Sequence, residues 1–234
     1  WILGGDPVAV VVDPGPDDDR HLDAIARSLG TAPIGLILVT HSHPDHLPLA
    51  ARLGERQHSR VLRHPELSDG DVLQVGKVTL RALFTPGHAS DHFCFVQEED
   101  GAVFTGDLVL GRGSTMITYP DGDMAAYLRS LSRLIELRPR ILFPGHFDPV
   151  EDPQPKLEGY LAHRLEREGQ VVDALASGPA TPAELTARVY GSEVSGEALL
   201  RAAEMTLQAH LKKLVDEGRV RQSGPVYSLA ARPG

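Results

Sequence analysis

Sulfur, positive charge and long apolar runs are all scarce in this chain, and each shortage closes off a class of protein. Its 234 residues include one cysteine, Cys94, so no disulfide can form within the chain. Cys94 sits in the alternating run His92-Phe93-Cys94-Phe95-Val96, which reads as a strand carrying a buried, inert thiol. No apolar run approaches the ~18–20 residues of a membrane-spanning helix. Lys+Arg number 23 against 32 Asp+Glu, a net charge of −9. Residues 171–234 carry seven of each sign, so the whole excess lies in the first 170 residues. That disfavours non-specific nucleic-acid binding, which rests on neutralising phosphates. No basic, apolar leader with a small-residue cleavage site is visible, so a cytoplasmic location is expected; the chain opens at Trp1 rather than methionine, which leaves its true start open. What remains is a soluble globular composition, 41% hydrophobic and 24% charged, long enough for one ordinary domain and a small second one.

Histidine, by contrast, is clustered. Thr40-His41-Ser42-His43-Pro44-Asp45-His46 packs three histidines and a carboxylate directly behind the apolar run Ile34 to Val39, which reads as a buried strand. In extended backbone His41 and His43 point the same way and can share one metal. Asp45 and His46 follow a proline-led bend and can serve a second. Three further segments repeat the pattern of apolar strand, small turn residue, then ligand: Thr85-Pro86-Gly87-His88, Phe104-Thr105-Gly106-Asp107 and Phe143-Pro144-Gly145-His146. Glycine or proline before each ligand lets the chain turn tightly and leaves the side chain at a cleft. Scattered surface residues would not place His or Asp at four separate strand ends.

These residues resemble the metallo-β-lactamase superfamily, whose pattern of His-x-His-x-Asp-His, then His, Asp and His is filled at every position between Val8 and His146. The resemblance implies an α/β fold of two sheets sandwiched by helices, αββα. It puts His41, His43 and His88 on a first metal and Asp45, His46 and His146 on a second, with Asp107 bridging. Zinc is the expected ion, and manganese or iron suit the same donors. Asp13, ending the first strand, is the candidate carboxylate that anchors a ligating histidine from behind. Asp91 and His92 are candidates for the same support. His21, His58 and His210 are read as bystanders, and His64 as a residue near the cleft. Two departures from the family pattern stand beside ligands: Leu47-Pro48 after His46, and Phe147-Asp148 after His146, where the bulk of Phe147 is expected to narrow the cleft.

The chain divides at the polar, proline-bearing Glu151-Asp152-Pro153-Gln154-Pro155. The expected parts are a catalytic domain over 1–152, a linker and connecting helix over 153–170, and a winged-helix-like domain over 171–234. Lys156 to Ala176 reads helical. Thr181-Pro182-Ala183-Glu184 is a capping box with proline at the first helical position. A longer helix runs from about Gly196 to Glu217, followed by a hairpin around Ser223-Gly224-Pro225. Within the superfamily this resembles the winged-helix branch that includes the endoribonuclease called β-lactamase-like protein 2, which also shares the His163-Arg164 and Arg167-Glu168 run. Zero net charge in the tail favours a packing or capping role over duplex DNA.

Two divalent metals about 3.5–4 Å apart hold a hydroxide between them at neutral pH. The expected activity is therefore hydrolysis of an ester, thioester or amide, with Asp45 as the catalytic carboxylate that orients the hydroxide or carries its proton. Arg112, Ser114, Thr115 and Tyr119, on a glycine-flanked loop after Asp107, and His163 and Arg164 are candidate substrate contacts. The expected partner is a small-molecule or acyl-carrier substrate, without a membrane. The alternatives are a single-strand endoribonuclease or phosphodiesterase, and a metal sensor whose winged helix binds DNA through Arg201, Lys212, Lys213, Arg219 and Arg221.

Overall fold

Central strands buried on both faces build two sheets packed against each other and against outer helices. The computed structural model describes residues 1–4, 7–191 and 196–231. β1 (Ile2–Gly4), β2 (Ala9–Val12), β3 (Ile34–Leu38) and β4 (Arg60–Leu62) form the first sheet in that order. The β1–β2 pair is antiparallel and the next two pairs are parallel. α1 (Asp19–Leu29) and α2 (Pro48–Gln57) are the crossovers that parallel pairing requires. β5 (Val72–Val75), β6 (Val78–Phe84), β7 (Phe93–Gln97), β8 (Ala102–Gly106) and β9 (Ile141–Pro144) form the second sheet, antiparallel except for β8–β9, which α3 (Met124–Leu137) connects.

Alternate residues of each strand serve different layers. Val10, Val12, Leu36 and Leu38 face Leu80, Ala82, Phe93, Phe95 and Phe104 between the sheets. Val11 and Ile37 turn outward onto Leu22 and Ile25 of α1 and Leu49 and Leu53 of α2. Cys94, Val96 and Val103 turn outward onto Tyr127, Leu131 and Leu134 of α3. The result is the αββα sandwich. Cys94 is fully buried, and burial pushes its thiol up to about 12, so it is no nucleophile at neutral pH.

α4 (Pro153–Ala176), α5 (Pro182–Tyr190), α6 (Glu197–Asp216) and the hairpin of β10 (Val220–Ser223) and β11 (Val226–Leu229) complete the chain as a winged helix. The expected capping box is present: the Glu184 amide donates to Thr181 Oγ1, and the Thr181 amide donates to Glu184 Oε2 at 2.8 Å. Residues 192–195 and 232–234 of the expected tail lie outside the described residues. The helix expected from Lys156 starts three residues earlier: Pro153 and Pro155 open α4, because first-turn amides have no intrahelical acceptor and a proline there removes no hydrogen bond. The expected division at 170/171 falls inside this helix. Among the described residues, no helix is long and apolar enough to cross a membrane.

Glu168 fastens α4 to the winged helix. It is 5% exposed, and accepts from Lys213 Nζ at 2.7 Å and Arg219 Nη1 at 2.5 Å, with His210 Nδ1 4.0 Å away. His210, Lys213 and Arg219 hold its carboxyl down to about 2 against the opposing effect of burial. The folded value lies below the ordinary one near 4.5, so this stabilisation is complete above that pH and is lost as pH falls towards 2. Glu168→Gln is therefore expected to lower the melting temperature at pH 7, with the gap to the parent protein closing between pH 4.5 and 2. A gap that does not change with pH would show that the pair contributes no linked stability. Four of the five cations proposed for DNA are engaged within the chain: Arg201 with Glu197, Lys212 with Asp216, Lys213 and Arg219 with Glu168 and Glu217.

Candidate metal centre

Four strand ends deliver the clustered residues to one edge of the sandwich. His41 to His46 leave β3, His88 follows β6, Asp107 follows β8 and His146 follows β9. Two glycines make the convergence sterically possible. A Cβ on Gly145 would lie 2.7 Å from both Asp107 Oδ1 and His46 Cε1. One on Gly106, whose φ is +45°, would lie 2.6 Å from Thr40 Oγ1 and 2.7 Å from His92 Nε2.

All seven residues of the pattern are brought together, in three overlapping groups: His41 with His43 and His88; His41 with His46 and Asp107; Asp45 with His46 and His146. In the first group His43 Nδ1 lies 2.9 Å from His41 Nε2 and 3.0 Å from His88 Nε2. Asp107 stands between the groups, with Oδ1 3.5 Å from His46 Nε2 and Oδ2 3.5 Å from His146 Nε2 and 3.8 Å from His88 Nε2. Asp45 lies 3.1 Å from His146 Nε2 and is half exposed.

The supporting hydrogen bonds fix which ring nitrogens face the centre. Met116 offers His88 a carbonyl, so Nδ1 donates, at 2.6 Å, and Nε2 keeps its lone pair. Asp13 Oδ2 accepts from His46 Nδ1 at 2.9 Å and from Thr40 Oγ1 at 2.7 Å, while Oδ1 accepts from the Thr40 amide at 2.7 Å. With its proton given to Asp13, Thr40 Oγ1 can accept from His41 Nδ1, 3.0 Å away. His41, His46 and His88 therefore all turn Nε2 to the centre. Asp91 accepts from Ser42 Oγ and fastens the first ligand loop. His92, fully buried, accepts from the Asp107 amide at 3.2 Å through Nε2 and contacts Thr85 Oγ1 at 2.9 Å through Nδ1.

The electrostatics call for positive charge at this spot. His46 Nε2 and Asp107 Oδ1 are buried without a hydrogen-bond partner. Burial alone would lower the His46 pKa, but the Asp107 and Asp13 carboxylates outweigh it and raise it to about 10. Burial likewise opposes the charge on Asp107, yet His146 and His46 hold its carboxyl far below the usual range. Burial and the neighbouring histidines keep His41 and His88 neutral, as ligands must be. Imidazole lone pairs converging with buried carboxylates fit a divalent cation.

The remaining expected contacts divide. Arg112 lies over the exposed ring of Phe147, 4.8 Å from its centroid, at the turn beyond His146. Phe147 adopts φ +68° there, uncommon for a bulky residue. Ser114 and His163 line a cavity of about 310 Å³ between the loop, α4 and α6. Thr115 is buried and donates to the Asp107 carbonyl at 2.6 Å. Arg164 is buried, donates to the Thr115 carbonyl and lies over Tyr127. Tyr119 packs against the core outside the second sheet. His64 is exposed and stacks on Phe84. His21, read as a bystander, lines a cleft of about 510 Å³ with Asp13, Asp45, His146, Trp1 and Ile25.

A family model described as the metallo-beta-lactamase superfamily matches residues 1–69 and 59–146. The chain belongs to the metallo-beta-lactamase superfamily. A second model, the beta-lactamase associated winged helix domain, matches residues 181–226. Lactamase-like protein notP of Aspergillus sp. (strain MF297-2) is 31% identical across 94% of this chain and 75% of its own length. An atrochrysone carboxyl ACP thioesterase of Aspergillus chevalieri is 33% identical across 94% of this chain and 76% of its own. The crystal structure of a metallo-beta-lactamase family protein from Thermus thermophilus superposes with a TM-score of 0.85 at 27% identity, covering 97% of this chain and 92% of that one. The chain is thus a hydrolase of the metallo-beta-lactamase superfamily with an appended winged helix.

Proposed function

We propose that this protein is a dinuclear metal-dependent thioesterase that releases an acyl group from a carrier-bound or small thioester. The observation carrying the reading is the pair of ligand groups with Asp107 between them, its Oδ2 3.8 Å from His88 Nε2 and 3.5 Å from His146 Nε2, and Asp45 exposed beside them at a cleft. His41, His43 and His88 would hold one ion, and Asp45, His46 and His146 the other, with Asp107 reaching both. Zinc is the first ion to test; manganese and iron accept the same donors. Such ions supply Lewis acidity, acidifying water and polarising a scissile carbonyl.

The chain's own residues do the rest. Asp13 and Met116 hold the ligand rings in register. Asp45 accepts a proton from the attacking water at its carboxylate and returns it to the departing sulfur, so that thioester and water become carboxylic acid and thiol. The cleft between α1 and His146 admits substrate. The thioester preference is supported by the names of relatives such as the Aspergillus chevalieri thioesterase. The net charge of −9 and the internally paired cations of the winged helix weigh against RNA and duplex DNA. In parts, we take 1–152 as the catalytic domain, 153–170 as a connecting helix and 171–234 as the winged helix.

The test is a substrate panel on zinc-loaded protein: an acyl-pantetheine thioester, a lactone, nitrocefin, a phosphodiester and single-stranded RNA. The expected result is turnover of the thioester above all others, abolished by chelation. Preferential RNA or phosphodiester cleavage would replace this reading with the nuclease one.

A further inference from the structure

The segment 115–117 runs between the ligand cluster and the C-terminal part of the chain, and it is tied on both sides. Towards the cluster, the Met116 carbonyl accepts from His88 Nδ1 at 2.6 Å. Thr115 Oγ1 donates to the Asp107 carbonyl at 2.6 Å and lies 3.4 Å from His88 Nδ1. Away from the cluster, Arg164 of α4 donates through Nη2 to the Thr115 carbonyl. The Ile117 amide donates to Thr206 Oγ1 of α6 at 3.2 Å. Thr115, Ile117, Arg164 and Thr206 are all buried.

The peptide that anchors His88 is thus pinned through its own N–H by Thr206 of the winged helix, and the peptide before it by Arg164 of α4. Neither side chain is explained by packing alone. A buried hydroxyl in place of an isosteric valine, and a buried guanidinium, are both costly unless they hold something. What they hold is the stretch whose middle carbonyl selects the tautomer and orientation of a ligand ring. Partners of that kind behind a metal-ligating histidine alter metal affinity by about 10–100-fold when removed.

We infer that Arg164 and Thr206 are positioning residues for the metal centre, through which α4 and the winged helix set the affinity of the His41, His43 and His88 group. The inference rests on the metal reading above. It gives the C-terminal domain a task in the chemistry that needs no nucleic acid and no contact with substrate.

The experiment uses the full chain, stripped of metal and titrated with zinc against a chromophoric chelator. Thr206→Val leaves the Ile117 amide without its acceptor and is expected to weaken one of two zinc ions about 10-fold. Thr206→Ser, which keeps the hydroxyl, is expected to stay within about twofold of the parent. Cobalt(II) in the same variants reports the geometry of the centre: the valine variant's visible bands should shift and the serine variant's should not. Arg164→Gln, read the same way, decides the matter if the valine variant does not fold. A lower melting temperature with zinc affinity and cobalt spectrum unchanged in the folded variants would reduce both residues to ordinary packing and overturn the inference. A parent protein that binds no zinc would remove the metal reading itself, and the inference with it.

Discussion

Asp45→Ala is expected to lower thioester turnover by about 10²–10⁴-fold, the range for losing a positioned proton carrier. It should leave one metal ion bound. Asp45 is 53% exposed at its side chain and, among the described residues, its carboxylate meets only His46 and His146 at the cleft. Its removal should therefore cost little stability. The ring nitrogens of His41, His43 and His88 converge without it, so that group should keep its ion. The group containing His46 and His146 loses its carboxylate and should weaken. Asp45→Asn separates the two roles, since it keeps the side chain's size and a carbonyl oxygen but cannot take up a proton at neutral pH. Turnover on a chromogenic thioester, with zinc content measured on the same samples, reads both effects. Parent-level activity in either variant would remove Asp45 from the mechanism.

Asp13 is the second position where a large effect is expected, by a different route. Its two oxygens take three hydrogen bonds, from the Thr40 amide, the Thr40 hydroxyl and His46 Nδ1. Thr40 is fully buried and His46 nearly so. Each buried donor left without an acceptor costs about 1–3 kcal/mol, so Asp13→Ala, which strands three, should destabilise the metal-free protein by at least about 3 kcal/mol. The residue also sits at φ 49°, a conformation Asp tolerates better than Ala. Asp13→Asn tolerates the backbone and offers one oxygen, but its amide group opposes His46 Nδ1–H donor to donor. That variant should fold and hold zinc about 10–100-fold more weakly. Denaturant melts of the metal-free proteins and zinc competition on the folded ones test the pair. Parent-like zinc affinity in Asp13→Asn would show that His46 is oriented by something other than this carboxylate.

The residues that converge at the candidate centre stood out in the sequence because coordination chemistry admits few residue types, and each segment follows a strand of clear pattern. The strand ends carried the geometry: the four segments of the cluster follow β3, β6, β8 and β9. Less regular elements were not legible. β5 is an edge strand whose Val72 is 63% exposed, so it lacks a buried face to mark it, and β1 has three residues. The start of α4 was hidden because its prolines read as breakers. Long-range hydrogen bonds leave no local trace. Thr206 meets Ile117 across 89 residues and Arg164 meets Thr115 across 49. His210 looked like a polar helical position, yet it is fully buried beside Glu168, because a long helix packed on two partners has little free surface.

α4 contributes Leu157 and Tyr160 to the core outside the second sheet, and Val171 and Leu175 to the core of the winged helix. A single unbroken helix is therefore shared property. Cutting the gene anywhere along it would leave one piece with an uncovered apolar face, so neither half should survive as an independent part for recombination. Exchange of winged helices between relatives would succeed only where the crossover lies ahead of Pro153 and the donor's whole helix travels with its wing.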